Sequence, residues 1–425
     1  MNPPRFYAEG DRYTCLWPDQ GVGISIENIK EHSEGLHGEI TVNAINAGGE
    51  REGHIHWARL GLSSSSARQS FAKVLSTRVK GDAIDWLNLL EYACTKTAQT
   101  ARSPAPVVDL AGVDLSAPEP YCVRPLLPLG ETSVLFGDGG TGKSYLALLL
   151  SLAVAGRISL PSPLVAATHG PVLYCDYETN AMEQASRLSG LVAGLRLSAR
   201  PSISYQAKFR ALPDEISSIK ADLQRLGATL LIVDSIAPAC GGEPESAEVI
   251  LRFMNALRSL GPSVTRLVIS HVSKADADKH RARPFGSAFT RNMARSCWEI
   301  RSTSDPEEHV LTVGLYHDKT NRGAYHKPFA LTFTWDPNGR ITAGRTEVAD
   351  HPDLAESAGL PFRIRQLLSH GPKTIAAIAA DLDSRPGSVY KALRRMKDVV
   401  PMHGSKGRGR ESVWSLKAAG RPDDA

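Results

Sequence analysis

The sequence has no run of about 18 apolar residues, the length a membrane-spanning helix requires, so no such helix is expected. Its first residues, MNPPRFYAEGDRY, lack the apolar core of a secretory leader. Cysteine is scarce and unpaired: six residues, at 15, 94, 122, 175, 240 and 297, with no C-x-x-C. That spacing supports neither a disulfide framework nor a zinc site, and reduced thiols of a cytoplasmic protein are expected. Glycine (36) and proline (27) are too few and too scattered for a fibrous or disordered chain. A net charge of +4 looks equally uninformative.

The distribution of that charge is not. Residues 361–417 carry twelve Lys and Arg against four acids, a local +8, which leaves −4 for the rest of the chain. A basic module at one end is the asymmetry expected of a nucleic-acid partner. With 425 residues, 42% of them hydrophobic, two or three globular domains are expected. Two stretches read as linkers: 101–120, which holds four prolines, and 341–361, small, polar and acidic. They divide the chain into residues 1–100, 121–340 and 362–418.

The first part alternates at period two over His37–Ala44 and Gly53–Leu60, then turns helical from Ala67 onward, with Trp86, Leu89, Leu90 and Tyr92 as apolar bulk. A small α+β domain is expected. His54 and His56 could share a strand face, but no further ligand cluster accompanies them, so no metal site is expected.

The second part opens on chemistry. An apolar strand, Val134–Phe136, leads into Gly137-Asp138-Gly139-Gly140-Thr141-Gly142-Lys143-Ser144, and an apolar helix follows from Tyr145. This is G-x-x-x-x-G-K-[ST] in its strand–loop–helix context. The glycines let backbone N–H groups wrap phosphates at a helix N-terminus. Lys143 is expected to reach the β- and γ-phosphates of ATP, and Ser144 to give a hydroxyl to Mg²⁺. A second apolar strand, Thr229–Asp234, ends in a carboxylate suited to anchor the same ion. Ser235, not Glu, follows it, so a catalytic base must come from elsewhere. Glu178, at the end of the strand Gly170–Glu178, is the candidate to polarise the attacking water, with Asp176 its competitor. A third strand, Thr265–Ser270, ends at His271, either a γ-phosphate sensor or a simple strand cap. Beyond it Lys274, Lys279, Arg281 and Arg283 make a basic segment that could touch DNA phosphates or be solvated.

Taken in order, GDGGTGKS, the strand ending in Glu178, LLIVDS, ISHVSK and GSAFTRNMARS resemble the RepA-like branch of RecA-fold hexameric ATPases, which includes plasmid and phage replicative helicases. The resemblance covers roughly residues 121–337 and implies an α/β core with a mainly parallel sheet. It implies that Glu178 is the catalytic glutamate, that Arg187 is the arginine of the following helix and that His271 is the strand-end histidine. It further implies that Arg295 is an arginine finger, and that Lys319 and Arg322 are a basic pair offered to a neighbour's nucleotide. Such sites are completed between subunits, so a homo-oligomeric ring is implied. A surface salt bridge is the plain alternative for each of those three cations.

The third part spaces Ile364, Leu367 and Leu368, then Ile375, Ile378 and Leu382, then Val389, Leu393 and Met396 as three short helices, with Thr374 as a cap. A Gly-rich basic hairpin holding Lys406, Arg408 and Arg410 follows. This resembles a winged helix-turn-helix, which implies that Ser388, Lys391, Arg394 and Arg395 face duplex DNA and that the hairpin tracks the backbone. The expectation is an ATP- and Mg²⁺-dependent ring ATPase acting on DNA: single strands through the ring, duplex at the C-terminus. The alternative is an ATP-switched DNA-binding regulator or loader that does not unwind.

Overall fold

The structure, a computed structural model, describes residues 4–9, 12–33, 35–79, 84–103, 109–112, 121–199, 201–272, 283–286, 288–402 and 412–417. Two compact units are present, residues 1–118 with 214–224, and 119–213 with 225–425.

The first unit is an antiparallel meander of β1 (Arg5–Glu9), β2 (Arg12–Trp17), β3 (Val22–His32), β4 (Gly35–Ile45) and β5 (Arg51–Gly61), in that spatial order. Alternation puts one row of side chains inward: Cys15, Ile24 and Val42 lie across the sheet from one another. Helices α1 (Ser65–Arg78) and α2 (Trp86–Ala101) supply Phe71, Leu75, Trp86, Leu89 and Leu90 to the same core. Sequence reading anticipated the last two strands and both helices; β1–β3 are additions. His56 stacks on Phe71, with ring centroids 5.2 Å apart. No group of three His, Cys, Asp or Glu able to hold a metal occurs among the described residues.

The second unit is built on a nine-stranded sheet. After a small three-stranded sheet of β6 (Tyr121–Arg124), β7 (Leu127–Pro128) and β9 (Val165–Ala166), the main strands are β8 (Thr132–Gly137), β10 (Val172–Asp176), β11 (Ile203–Ala207), β12 (Leu230–Asp234), β13 (Thr265–Ser270), β14 (Ser296–Asp305), β15 (Val310–Thr320), β16 (Phe329–Trp335) and β17 (Ile341–Thr346). Their spatial order is β11-β10-β12-β13-β8-β14-β15-β16-β17. The first six run parallel and the last three antiparallel. Every residue of β8, β10, β12 and β13 is buried, as strands covered on both faces must be. This is the mainly parallel α/β core expected from the motifs.

The helices of this unit are α3 (Lys143–Gly156), α4 (Ala181–Gly194), α6 (Ile236–Ala239), α7 (Ala247–Arg258) and α8 (Ala288–Met293), whereas residues 214–224 of α5 (Leu212–Leu226) belong to the first unit. Helix α3 is buried almost all round, with Leu146, Leu149, Leu150 and Val154 in the central core. No helix among the described residues is long and apolar enough to cross a membrane.

Residues 341–361 are folded rather than a free linker. β17 closes the sheet edge, and α4 lies against it: a Cβ on Gly194 would stand 2.0 Å from the Ile341 carbonyl oxygen. Helix α9 (Pro352–Ser357) follows, with Leu354 and Ala358 packed on Tyr316 and Ala330. Small and acidic residues hid this segment, because its buried positions are few and widely spaced.

The chain ends in α10 (Leu360–Ser369), β18 (Lys373–Thr374), α11 (Ile375–Asp381), α12 (Pro386–Arg395), β19 (Val399–Pro401) and β20 (Val413–Leu416). The strands form one sheet in the order β18-β20-β19. Ile364, Leu368, Ile378, Val389, Leu393, Met396 and Trp414 are its core, and the Thr374 hydroxyl accepts the Ala377 N–H at 3.1 Å. Phe362 joins the α9 cluster and Gln366 donates to the Ala349 carbonyl at 2.9 Å, so this end of the chain is docked on the large sheet.

Candidate nucleotide-binding and catalytic site

The loop between β8 and α3 turns on Gly140 and Gly142, at φ 73° and 81°, a left-handed geometry cheap only for glycine. Gly137, Asp138, Gly139 and Thr141 complete it. Lys143 is buried, and its Nζ donates to the carbonyls of Gly137 (3.0 Å) and Asp138 (2.6 Å) and to Thr141 Oγ1 (3.3 Å). Burial lowers its pKa, while Asp234, Glu178 and Asp138 oppose the shift. An ammonium held only by the loop's own neutral oxygens can exchange them for phosphate oxygens. The donors therefore fit ATP. Tyr145, in the first turn of α3, does not enter the loop: its ring meets Trp335 edge-on (5.3 Å) and lies under the Arg187 guanidinium (5.5 Å).

Ser144 and Asp234 meet as the two motifs require. Ser144 Oγ donates to Asp234 Oδ2 at 2.8 Å, and the buried Tyr174 hydroxyl donates to the same oxygen at 2.6 Å. Burial raises the Asp234 pKa, and the two hydroxyl donors oppose it. A hydroxyl and a carboxylate at the foot of the phosphate loop are donors that suit Mg²⁺, which when bound would neutralise phosphate charge.

Asp176 and Glu178, rivals in sequence, have different surroundings. Asp176 is buried and saturated: it accepts from the backbone N–H groups of Glu178 and Thr179 (2.9 Å each), from Thr179 Oγ1 (2.5 Å) and from Gln184 Nε2 (2.9 Å). It holds the turn that carries Glu178. The Glu178 carboxylate stays about one-third exposed. It accepts a hydrogen bond from Ser235 Oγ and lies 3.3 Å from His271 Nε2. The hydrogen bond with His271 is the main cause of its lowered pKa, with Ser235 and Lys143 adding to it. Strands β10, β12 and β13 thus bring Glu178, Ser235 and His271 together beside Lys143, Ser144 and Asp234.

The cations assigned by resemblance lie elsewhere. Arg295 precedes β14, and its N–H donates to the Thr132 carbonyl at 2.9 Å, while its guanidinium lies 3.7 Å from Glu131. That is the start of β8, five residues or about 17 Å along the strand from Gly137. Lys319 is at the same end. Its ammonium donates to the carbonyls of Arg291, Asn292 and Ala294 (2.6–2.8 Å). Arg322 is exposed just beyond, after Asn321, whose N–H donates to the Arg295 carbonyl. The three gather at the sheet end opposite their own phosphate loop.

Among the DNA-binding candidates, Arg283, Ser388, Lys391, Arg394 and Arg395 are exposed or partly exposed. Lys274, Lys279, Arg281, Lys406, Arg408 and Arg410 lie outside the described residues. Reading the sequence missed Tyr174 and the part played by Ser235. The one signal for Tyr174 is a hydroxyl inside the apolar run of residues 172–175.

Residues 97–277 match the family model of an AAA domain. Among solved structures, a KaiC-like protein of the hyperthermophilic archaeon Pyrococcus horikoshii OT3 is similar at 16% identity and a TM-score of 0.36, over 52% of this chain and 93% of that one. No curated protein matches the chain. The phosphate loop, the parallel sheet order and the AAA match together define a P-loop ATPase domain with a RecA-like core.

Proposed function

We propose that this chain is the subunit of an ATP-hydrolysing ring that acts on DNA, as a RepA-like replicative helicase of a phage, prophage or plasmid. The carrying observation is the division of charged groups between the two ends of one sheet. Glu178, Lys143 and Asp234 stand at one end, and Arg295, Lys319 and Arg322 at the other, beyond reach of their own loop. Head-to-tail packing of copies would bring one subunit's cations to the next subunit's phosphates, where they would stabilise charge as phosphoryl transfer proceeds. Within a subunit, Glu178 orients the attacking water, His271 and Ser235 fix the carboxylate, and the loop amides with Lys143 hold the phosphates.

The reading of the C-terminus as a winged helix-turn-helix is supported by three helices, a three-stranded sheet and basic side chains on α12. Here α12 would lie against duplex DNA. A second reading, an ATP-switched binder or loader without unwinding, is favoured by the docking of that module on the ATPase sheet, which could relay nucleotide state to it. Three measurements separate the readings: oligomeric mass with and without ATP, stimulation of ATPase by single strands, and unwinding of a forked duplex. Lys143→Ala serves as the control. A ring with stimulated hydrolysis and strand separation supports the helicase; duplex binding without unwinding sinks it in favour of the switch.

A further inference from the structure

Trp298, on β14, is buried against His317 of β15, with rings parallel within 4° and centroids 4.2 Å apart. The stack continues outward to His326 (5.5 Å from His317) and to Tyr325, edge-on at 5.4 Å. Tyr325 is 61% exposed. The His326 backbone N–H donates to His317 Nδ1 at 3.0 Å, which makes Nε2 the protonated nitrogen. That Nε2 is buried without a hydrogen-bond acceptor among the described residues. Burial, then His326, pushes the His317 pKa down to about 4, so the imidazole is neutral.

His317, His326 and Tyr325, with Trp298 buried behind them, line a cavity of about 480 Å³ between the end of β15 and the start of α10, a size that suits a small planar ligand. Its charged rim is largely self-paired: Asp318 with Arg291, Glu299 with Arg301, and Arg365 with Asp398. Lys327 adds an exposed positive charge. Pro361 and Arg365 also line a second cavity of about 760 Å³, whose other wall carries Lys391, Arg395 and Lys397. The two cavities share Pro361 and Arg365, and the second also carries Asp398, the partner of Arg365.

We propose that the junction cavity takes an unpaired base of single-stranded nucleic acid, stacked on Tyr325, while Lys327 and the α12 cations Lys391 and Arg395 hold the flanking phosphates. The inference rests on the DNA-acting reading above and deepens it. Every base has a face that can stack on an aromatic ring, and an unpaired base presents that face without first breaking its stack in a duplex. The site would keep a strand beside the ATPase sheet after duplex is opened at α12.

The test uses the full chain and a single-stranded oligonucleotide carrying 2-aminopurine, alongside a duplex of the same sequence. In the wild type, binding should quench the fluorophore. Tyr325→Ala should abolish the quenching and weaken single-strand affinity about tenfold or more, with duplex affinity and basal ATPase unchanged. Tyr325→Phe should behave as wild type, since it keeps the ring. If Tyr325→Ala binds the single strand as tightly as wild type, the inference is overturned while the DNA reading stands. It is equally overturned if a free mononucleotide competes as well as the strand, or if the variant only loses self-association. If the wild type binds neither DNA form, the DNA reading fails and this inference with it.

Discussion

The Tyr174 hydroxyl donates to Asp234 Oδ2 at 2.6 Å inside the sheet, sharing that oxygen with Ser144. Replacing Tyr174 by Phe keeps the ring and removes one of two donors from a buried carboxylate. The Asp234 pKa should rise further, because only the Ser144 hydroxyl would then oppose burial. We expect a stability loss of about 1–3 kcal/mol and a higher Mg²⁺ concentration for half-maximal ATPase. Urea unfolding and a Mg²⁺ titration check both; an unchanged Mg²⁺ requirement would show that the hydroxyl does not position the carboxylate.

Glu178→Gln should reduce ATP turnover by about a hundredfold or more while nucleotide affinity is kept. His271→Ala removes the main cause of the lowered Glu178 pKa. With a depressed pKa, the carboxylate is ionised and its contacts are intact above the ordinary carboxylate range, and they are lost as pH falls through the folded-state value. The acid limb of the kcat/KM profile should therefore move to higher pH in His271→Ala. A limb that stays in place would separate His271 from the ionisation of Glu178.

How far the sequence revealed this site depended on whether each contact was local. The phosphate loop was legible because all its parts lie within twelve residues, and Asp234 and Glu178 were legible as charges ending apolar strands. Their division of labour was not. That Asp176 is saturated by Thr179 and Gln184, leaving Glu178 as the exposed carboxylate, depends on the turn into α4. The contact of Ser235 with Glu178 joins β12 to β10 and has no pattern along the chain. The same limit applied to the fold. β17 reads as linker in the sequence because the antiparallel partner that buries Ile341 contributes nothing to the local pattern.

Arg266 shows the same limit within a strand. Its buried guanidinium donates to the carbonyls of Gly130 (2.7 Å), Gly261 (2.5 Å) and Val264 (2.8 Å), and to Thr132 Oγ1 (3.2 Å). Arg266→Met fills much of the volume but orphans those acceptors. A loss of at least about 3 kcal/mol is expected in urea unfolding. A loss below 1 kcal/mol would mean that water replaces the guanidinium there.

His317 gives a stability signature in acid. Its pKa of about 4 in the fold lies below the value near 6.5 of an unfolded histidine. Between those values the unfolded chain binds the extra proton, so stability falls as pH drops from about 6.5 toward 4. His317→Gln should flatten that dependence relative to wild type, measured as the urea midpoint at pH 7, 6 and 5. Parallel curves for the two proteins would refute a neutral buried imidazole.

If Arg295 serves a neighbour's nucleotide, Arg295→Ala and Glu178→Ala should each be inactive alone, yet regain part of the activity when mixed. Mixed subunits would pair an intact Glu178 with an intact Arg295 at some interfaces. Failure at every mixing ratio would assign Arg295 to the surface, held by Glu131.

Val272 bridges Pro284, and the Phe285 N–H donates to the His271 carbonyl at 2.6 Å, so the backbone at His271 is tied directly to residues 284 and 285. Loop closure becomes only slowly costlier as residues are added. A change in the number of residues between 272 and 284 is therefore expected to leave the contact of His271 with Glu178 in place. Relatives of this chain should differ there in length before they differ at His271.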